Sequence, residues 1–156
     1  LWINQLGERF CDEGLMRFPL VGNAQANQKN QIMFTIFDED TKNHLIVIGV
    51  DYNMGMYVPP ATKLEDLDED LKRGINDGEV FTADSIEALA EKIEVRVKAL
   101  TSTVDEYNRF CGQKYDEHFV KNPKYLHPVK TAPFFAIRGY PSMTGTLGGI
   151  KINHKI

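Results

Sequence analysis

Two amphipathic helical patterns set almost end to end constrain this chain more than anything else in it. Asp84, with Glu87 three residues later, makes an aspartate version of a capping box, and Ile86, Leu89, Ala90 and Ile93 recur on one face behind it. Val97, Leu100, Val104, Tyr107 and Cys111 then repeat at three- and four-residue spacing up to Gly112, a natural stop. Only a few residues join the two patterns, so they are expected to pack as a helical hairpin with one apolar face laid over a sheet.

The strands of that sheet read less evenly. Phe134 to Tyr140 is apolar on both faces and therefore suits a central strand. In Gln31 to Phe37, Ile32, Phe34 and Ile36 alternate with Gln31, Met33 and Thr35, and the run ends at Asp38-Glu39-Asp40, where carboxylates favour a helix start. Val80 to Thr82 is a short extended piece, and Thr144 to Gly149 is a glycine-rich entry into a strand carrying Ile150 and Ile152. The opening, Leu1 to Glu13, reads as two short strands folded about Gly7, with Arg9 carried on a rigid tip. Further helices are expected at Val21 to Gln28 and at Lys63 to Asn76, where Leu64, Leu67, Leu71 and Ile75 form a stripe. The apolar run His44 to Val50 fits either class.

The 156 residues suit one domain, and 42% hydrophobic with 26% charged residues is an ordinary globular composition. A net charge of -4 without a lysine or arginine cluster argues against a double-helical nucleic acid partner. No run of 18 apolar residues exists to span a membrane. Cys11 and Cys111 form no CxxC pair; two free thiols are the default, and one long-range disulfide is the alternative. His118 and His127 stand nine apart without a helical partner, so no metal site is expected. The acidic outer face of the 63–76 helix lacks the ligand order and glycine of a calcium loop and reads as solvated. The Tyr52 to Tyr57 stretch, with Met54 and Met56, could line a pocket or serve as a buried connector, the commoner fate. Gly-Thr-Leu-Gly-Gly is not a phosphate loop, because it has neither the GxGxxG spacing nor a GK[ST] ending and it precedes a strand. A chain that opens at Leu1 in a strand pattern and stops soon after another reads as a piece of something longer.

Six segments in order, Asn4 to Glu13, Ile36 to Asp38, Ala83 to Leu89, Thr103 to Asn108, Pro133 to Ile137 and Gly145 to Ile150, resemble the flavoproteins of the fumarate reductase and succinate dehydrogenase type, which include urocanate reductases and 3-ketosteroid dehydrogenases. The resemblance runs end to end. It implies an α+β fold with a mixed sheet and packed helical hairpin: residues 1–156 would be the mobile capping domain of an FAD-dependent oxidoreductase whose FAD-binding domain lies elsewhere in the same polypeptide. It also implies a small unsaturated acid or ketone as substrate and an electron donor that this segment does not specify. FAD would be held mainly by the other domain, so the segment alone is expected to be inactive.

In that family the arginine of the GERF-like motif donates the proton, and Arg9 occupies the corresponding position. It would stand exposed and unpartnered at the interdomain cleft, as proton donor or as binder of the substrate anion. Gly148 and Gly149 would let backbone pass close to the flavin, and Thr144 and Gly145 would face the substrate. True fumarate reductases carry a histidine where Thr144 stands. A threonine offers only a neutral hydrogen bond, which removes an anchor worth about 1.5–3 kcal/mol from a dicarboxylate and turns the expectation away from fumarate. The competing reading is a freestanding noncatalytic domain that binds a ligand or protein through the 52–57 and 118–127 stretches.

Overall fold

The structure, a computed structural model, describes residues 1–15, 18–52 and 58–142. Thr144, Gly145, Gly148 and Gly149, the strand expected after them, and most of the Tyr52 to Tyr57 stretch lie outside the described residues. In chain order the elements are β1 (Trp2–Asn4), α1 (Phe18–Ala26), β2 (Met33–Asp38), α2 (Glu39–Val47), α3 (Leu67–Asn76), β3 (Val80–Ala83), α4 (Ile86–Lys92), α5 (Val97–Gln113) and β4 (Phe134–Gly139), with single 3₁₀ turns at Lys29–Gln31 and Pro123–Tyr125.

The four strands lie in the order β1-β2-β4-β3, and every pairing is antiparallel. This corrects the expected mixed sheet for the described residues. Each connection is long enough to hold a helix, yet every two strands that neighbour each other in the sheet run in opposite senses, a direction that local patterning does not encode. β4 is an inner strand, as its two apolar faces require: Phe134 and Ala136 point to one side, Phe135 and Ile137 to the other.

On the first side, Ile3, Phe34, Ile36 and Ala136 meet Leu89, Leu100, Val104 and Tyr107 from the α4–α5 hairpin, so the two helices cover the sheet as their pattern demanded. On the second, Phe37, Val80 and Phe135 pack with Leu71 of α3, and Phe37 stacks on Phe135 at 5.1 Å. Apolar side chains on both faces make this a three-layer unit around one sheet. Burial of a Leu100-sized side chain supplies about 1.5–3 kcal/mol, and such residues hold the hairpin in place.

Several local expectations shift. The start of α4 is capped by Ser85, whose hydroxyl accepts from Ala88 N at 3.1 Å, and not by Asp84. α5 runs through Gly112 and ends at Lys114, which takes a left-handed conformation with φ 57°. Lys114 N donates to Cys111 O and Tyr115 N to Phe110 O, a Schellman-type close that a lysine occupies at a cost of roughly 1–2 kcal/mol. The ambiguous run is mostly helical, since α2 continues through Val47. Its cap is Asp38, whose Oδ1 accepts from Thr41 N at 2.9 Å while Oδ2 accepts from Lys130 N and Thr131 N at 2.8 and 3.0 Å. One buried carboxylate thus ties a helix start to the loop that enters β4. α1 begins at Phe18, three residues before the expected Val21, and α3 begins at Leu67, which leaves Leu64 in the preceding turn.

Candidate active site

The opening segment is not a hairpin. β1 ends at Asn4, and the chain then makes a compact turn in which the Asn4 side-chain carbonyl accepts from Leu6 N and Glu8 N at 2.9 and 3.1 Å. Gly7, at φ 83°, lies against the start of α5; a Cβ there would sit 2.8 Å from Val95 Cγ1. Thr103 locks the turn by donating its hydroxyl to Gly7 O at 2.6 Å. The next residues are thereby aimed inward along α5 instead of out into solvent.

Arg9 is consequently buried, with 4% of its side chain exposed, and both of its terminal nitrogens are engaged. Its NH1 and NH2 donate to Asp116 Oδ1 and Oδ2 at 3.0 and 2.7 Å, a two-pronged pair, and NH2 also reaches Glu13 Oε2 at 3.3 Å. The guanidinium lies between the rings of Tyr107 and Phe119, 5.1 and 5.0 Å from their centroids. An exposed, unpartnered Arg9 was expected; the Asn4 turn and the Asp116 pair explain the difference. Only Nε, also buried, finds no acceptor among the described residues.

Asp116 follows directly from the left-handed close of α5, which swings it back under the helix end. Its Oδ1 further accepts from His118 N and Phe119 N at 3.1 and 3.3 Å. Glu13 is shared in the same way. Lys121 donates to Glu13 Oε1 at 3.0 Å and to the Tyr107 hydroxyl at 3.1 Å, and Lys121 and Glu13 are 6% and 5% exposed. Two cations and two anions from the opening segment and the 114–121 loop therefore form one buried network against Tyr107 of α5.

The electrostatics follow from this packing. Burial opposes ionisation of Glu13, but the surrounding cations, Lys121 and Arg9 among them, outweigh it and hold its carboxyl below the usual range. For Asp116 burial is likewise overcome by Arg9 and the two backbone amides, and its carboxyl is also lowered. Burial pulls Arg9 down, while its bonds to Asp116 and Glu13 more than compensate and leave it a weaker acid than a free arginine. Desolvation and Glu13 push the Tyr107 hydroxyl far up, and desolvation followed by Glu13 raises the Cys11 thiol to about 12. Cys11 and Cys111 are both free, half-buried thiols.

Sequence reasoning singled out Arg9, included Glu13 only as the end of the same motif, and missed Asp116 and Lys121. Neither has a local signal, because both sit in a polar loop where carboxylates and lysines are normally solvated. Of the two histidines considered, His118 is exposed and packs edge-on to Phe110 at 5.2 Å, while His127 is turned to Asp51.

The sequence profile of the family described as "FAD binding domain" matches residues 1–156. The chain belongs to the FAD binding domain family. Over 155 residues it is 35% identical to a vinyl phenol reductase of Lactiplantibacillus plantarum, a match covering 97% of this chain and 31% of that protein. It is 32% identical over 155 residues to an NADH:acrylate oxidoreductase of Vibrio harveyi, covering 99% of this chain and 13% of that one. The chain thus spans about a third or less of the curated relatives it matches. The solution structure of a fumarate reductase flavoprotein subunit from Lactobacillus plantarum has the same fold, with a TM-score of 0.63 at 24% identity over 90% of this chain and 81% of that one.

FAD is the cofactor of this family. The open depression at the start of α4 offers one cation, Lys92, whose Nζ already donates to Thr82 O at 2.6 Å, too little for a pyrophosphate.

Proposed function

We propose that residues 1–156 are the capping, substrate-facing part of an FAD-dependent oxidoreductase that reduces or forms an activated carbon-carbon double bond. The observation that carries this reading is the match of nearly the whole chain to a vinyl phenol reductase and an acrylate oxidoreductase. The substrate class is a small alkene activated by a carbonyl, a carboxylate or an aromatic ring. Vinyl phenol has no carboxylate and acrylate has one, which supports assigning Thr144 to a substrate pocket that lacks a second anion anchor. Thr144 and Gly145 are proposed to face substrate, and Gly148 and Gly149 the flavin.

When bound, reduced flavin supplies the hydride, and the cap has to contribute a cation and a proton source on the substrate side. The buried network favours a bracing task for Arg9, since both terminal nitrogens are committed to Asp116 and Glu13. In this reading Arg9 positions the segment that follows it, and Arg17, the next arginine in that segment and outside the described residues, is the better candidate for the acid.

The test is anaerobic reoxidation of the reduced full-length flavoprotein by 4-vinylphenol, acrylate, fumarate, urocanate and a 3-ketosteroid. At least one of these alkenes is expected to reoxidise it far faster than buffer, with fumarate a poor acceptor; no response to any of them overturns the proposal. Arg17→Lys is expected to slow the best acceptor by about 10²-fold or more with melting unchanged. Arg9→Lys is expected to lower the melting temperature first. A wild-type rate in Arg17→Lys returns the acid role to Arg9.

A further inference from the structure

Adjacent to the Arg9 network, where Tyr125 packs beside Gly14, three side chains of metal-ligating type converge from separate segments. His44 lies in the last turn of α2, Asp51 in the loop after it, and His127 in the loop that follows the 3₁₀ turn at Pro123–Tyr125. His44 Nε2 is 2.9 Å from Asp51 Oδ1, and His127 Nε2 is 2.8 Å from Asp51 Oδ2. The imidazole centroids are 5.1 Å apart, and one ligand atom from each residue lies within 4.8 Å of the other two. All three are partly exposed, at 27%, 26% and 37% for His44, Asp51 and His127, so water can reach the point they surround.

We propose that His44, Asp51 and His127 form a binding site for a borderline divalent transition ion of the zinc class, with water completing a tetrahedral set. Two imidazoles and one carboxylate suit such an ion and are a poor match for calcium or magnesium, which take oxygen ligands. At metal–ligand lengths of about 2.0–2.1 Å, tetrahedral ligand atoms sit roughly 3.3 Å apart, so the two histidine–carboxylate contacts need to open by about half an ångström and the remaining spacing, within 4.8 Å, to close by at most about 1.5 Å. Rotation of the Asp51 carboxylate then places one oxygen between the two Nε2 atoms.

The surroundings hold the three ligands in register. Gly49, at φ 104°, passes so close to Ala61 that a Cβ would meet its carbonyl carbon at 2.6 Å; that turn returns the chain to His44, with Gly49 N donating to His44 O at 3.0 Å. Tyr52, next to Asp51, meets Tyr125, two residues before His127, edge-on at 4.9 Å. The site is thus built on two segments already docked together. A bound ion would fasten the end of α2 to the long loop between α5 and β4.

The 156-residue chain is a suitable sample, since a chain of comparable extent adopts this fold in solution. Titration with Zn²⁺ in a non-chelating buffer is expected to show one site saturating in the micromolar range. At a hundred times Kd the melting temperature should rise by roughly 5–10 °C. Co²⁺ is expected to give the visible absorption of a tetrahedral nitrogen-oxygen site. Asp51→Asn and His127→Ala should each abolish saturable uptake and that absorption, whereas His118→Ala should change neither. If either variant is destabilised without metal, the cobalt spectrum recorded below its melting temperature still decides. Absence of saturable uptake below the millimolar range, or uptake that survives both variants, overturns the proposal and leaves a hydrogen-bonded clamp of two histidines on one carboxylate.

Discussion

Replacing Arg9 by methionine tests whether the buried network is a structural strut. The substitution keeps an apolar stem between Tyr107 and Phe119 but removes both bonds to Asp116 and the one to Glu13. Breaking a buried ion pair by deleting one partner costs about 3–5 kcal/mol, because a desolvated charge is left behind. Asp116 retains two backbone amides and Glu13 retains Lys121, which places the expected cost near the lower bound. At roughly 2–4 °C per kcal/mol for a chain of this size, Tm should fall by about 6–12 °C. Arg9→Lys keeps the charge but cannot form the two-pronged pair, and should fall by about half as much. The assay is thermal melting by circular dichroism at pH 7, with a double-mutant cycle against Asp116→Asn. A coupling of at least about 1.5 kcal/mol is expected for partners in direct contact. Melting of Arg9→Met within about 2 °C of the parent, or strictly additive costs in the cycle, would refute the strut.

Asp38→Ala removes the α2 cap and orphans the amides of Lys130 and Thr131, and should cost about 2–4 kcal/mol in urea unfolding; a loss under about 1 kcal/mol would show that water replaces the carboxylate. Gly7→Ala combines a disfavoured φ of 83° with a 2.8 Å approach to Val95 Cγ1, and is expected to lower stability by at least about 2 kcal/mol, read from the same denaturation curves. Acid should unfold the chain through the network. The carboxyls of Glu13 and Asp116 lie below their ordinary 4.5 and 3.8 in the folded state, so the unfolded chain takes up protons first; their contribution is complete at pH 7 and is lost as pH falls below about 4.5 and through the folded values. Urea midpoints at pH 7, 4.5 and 3 should trace this loss, and Asp116→Asn should flatten it; an unchanged pH slope in that variant would place the acid sensitivity elsewhere.

Elements whose side chains repeat at a fixed period were legible before any coordinates. The α4–α5 hairpin followed from two apolar stripes and a short joint, and β4 followed from apolar residues on both faces, because periodicity reports directly which side of an element is buried. End points were less legible. Gly112 was the natural stop for α5, yet the helix runs on to a left-handed Lys114, closed by two backbone hydrogen bonds and followed by the Asp116 that reaches Arg9. Arg9 itself was visible as an unusual arginine on a rigid element. Its fate was not, since Asp116 lies more than a hundred positions away along the chain and carries no local mark of being buried.

The residue order by itself determined the α+β class, the helical hairpin, the inner strand and, through its match along the whole chain, membership of the FAD binding domain family. Tertiary structure alone decided that the sheet is antiparallel throughout the described residues, that Arg9 closes a buried charge network, and that His44 and His127 share one carboxylate. The physical reason is range. Backbone propensity and amphipathic period act over one or two turns of chain, whereas the partner of a buried charge or the third ligand of a cluster is chosen by packing between distant segments, where only the folded geometry brings the groups within bonding distance.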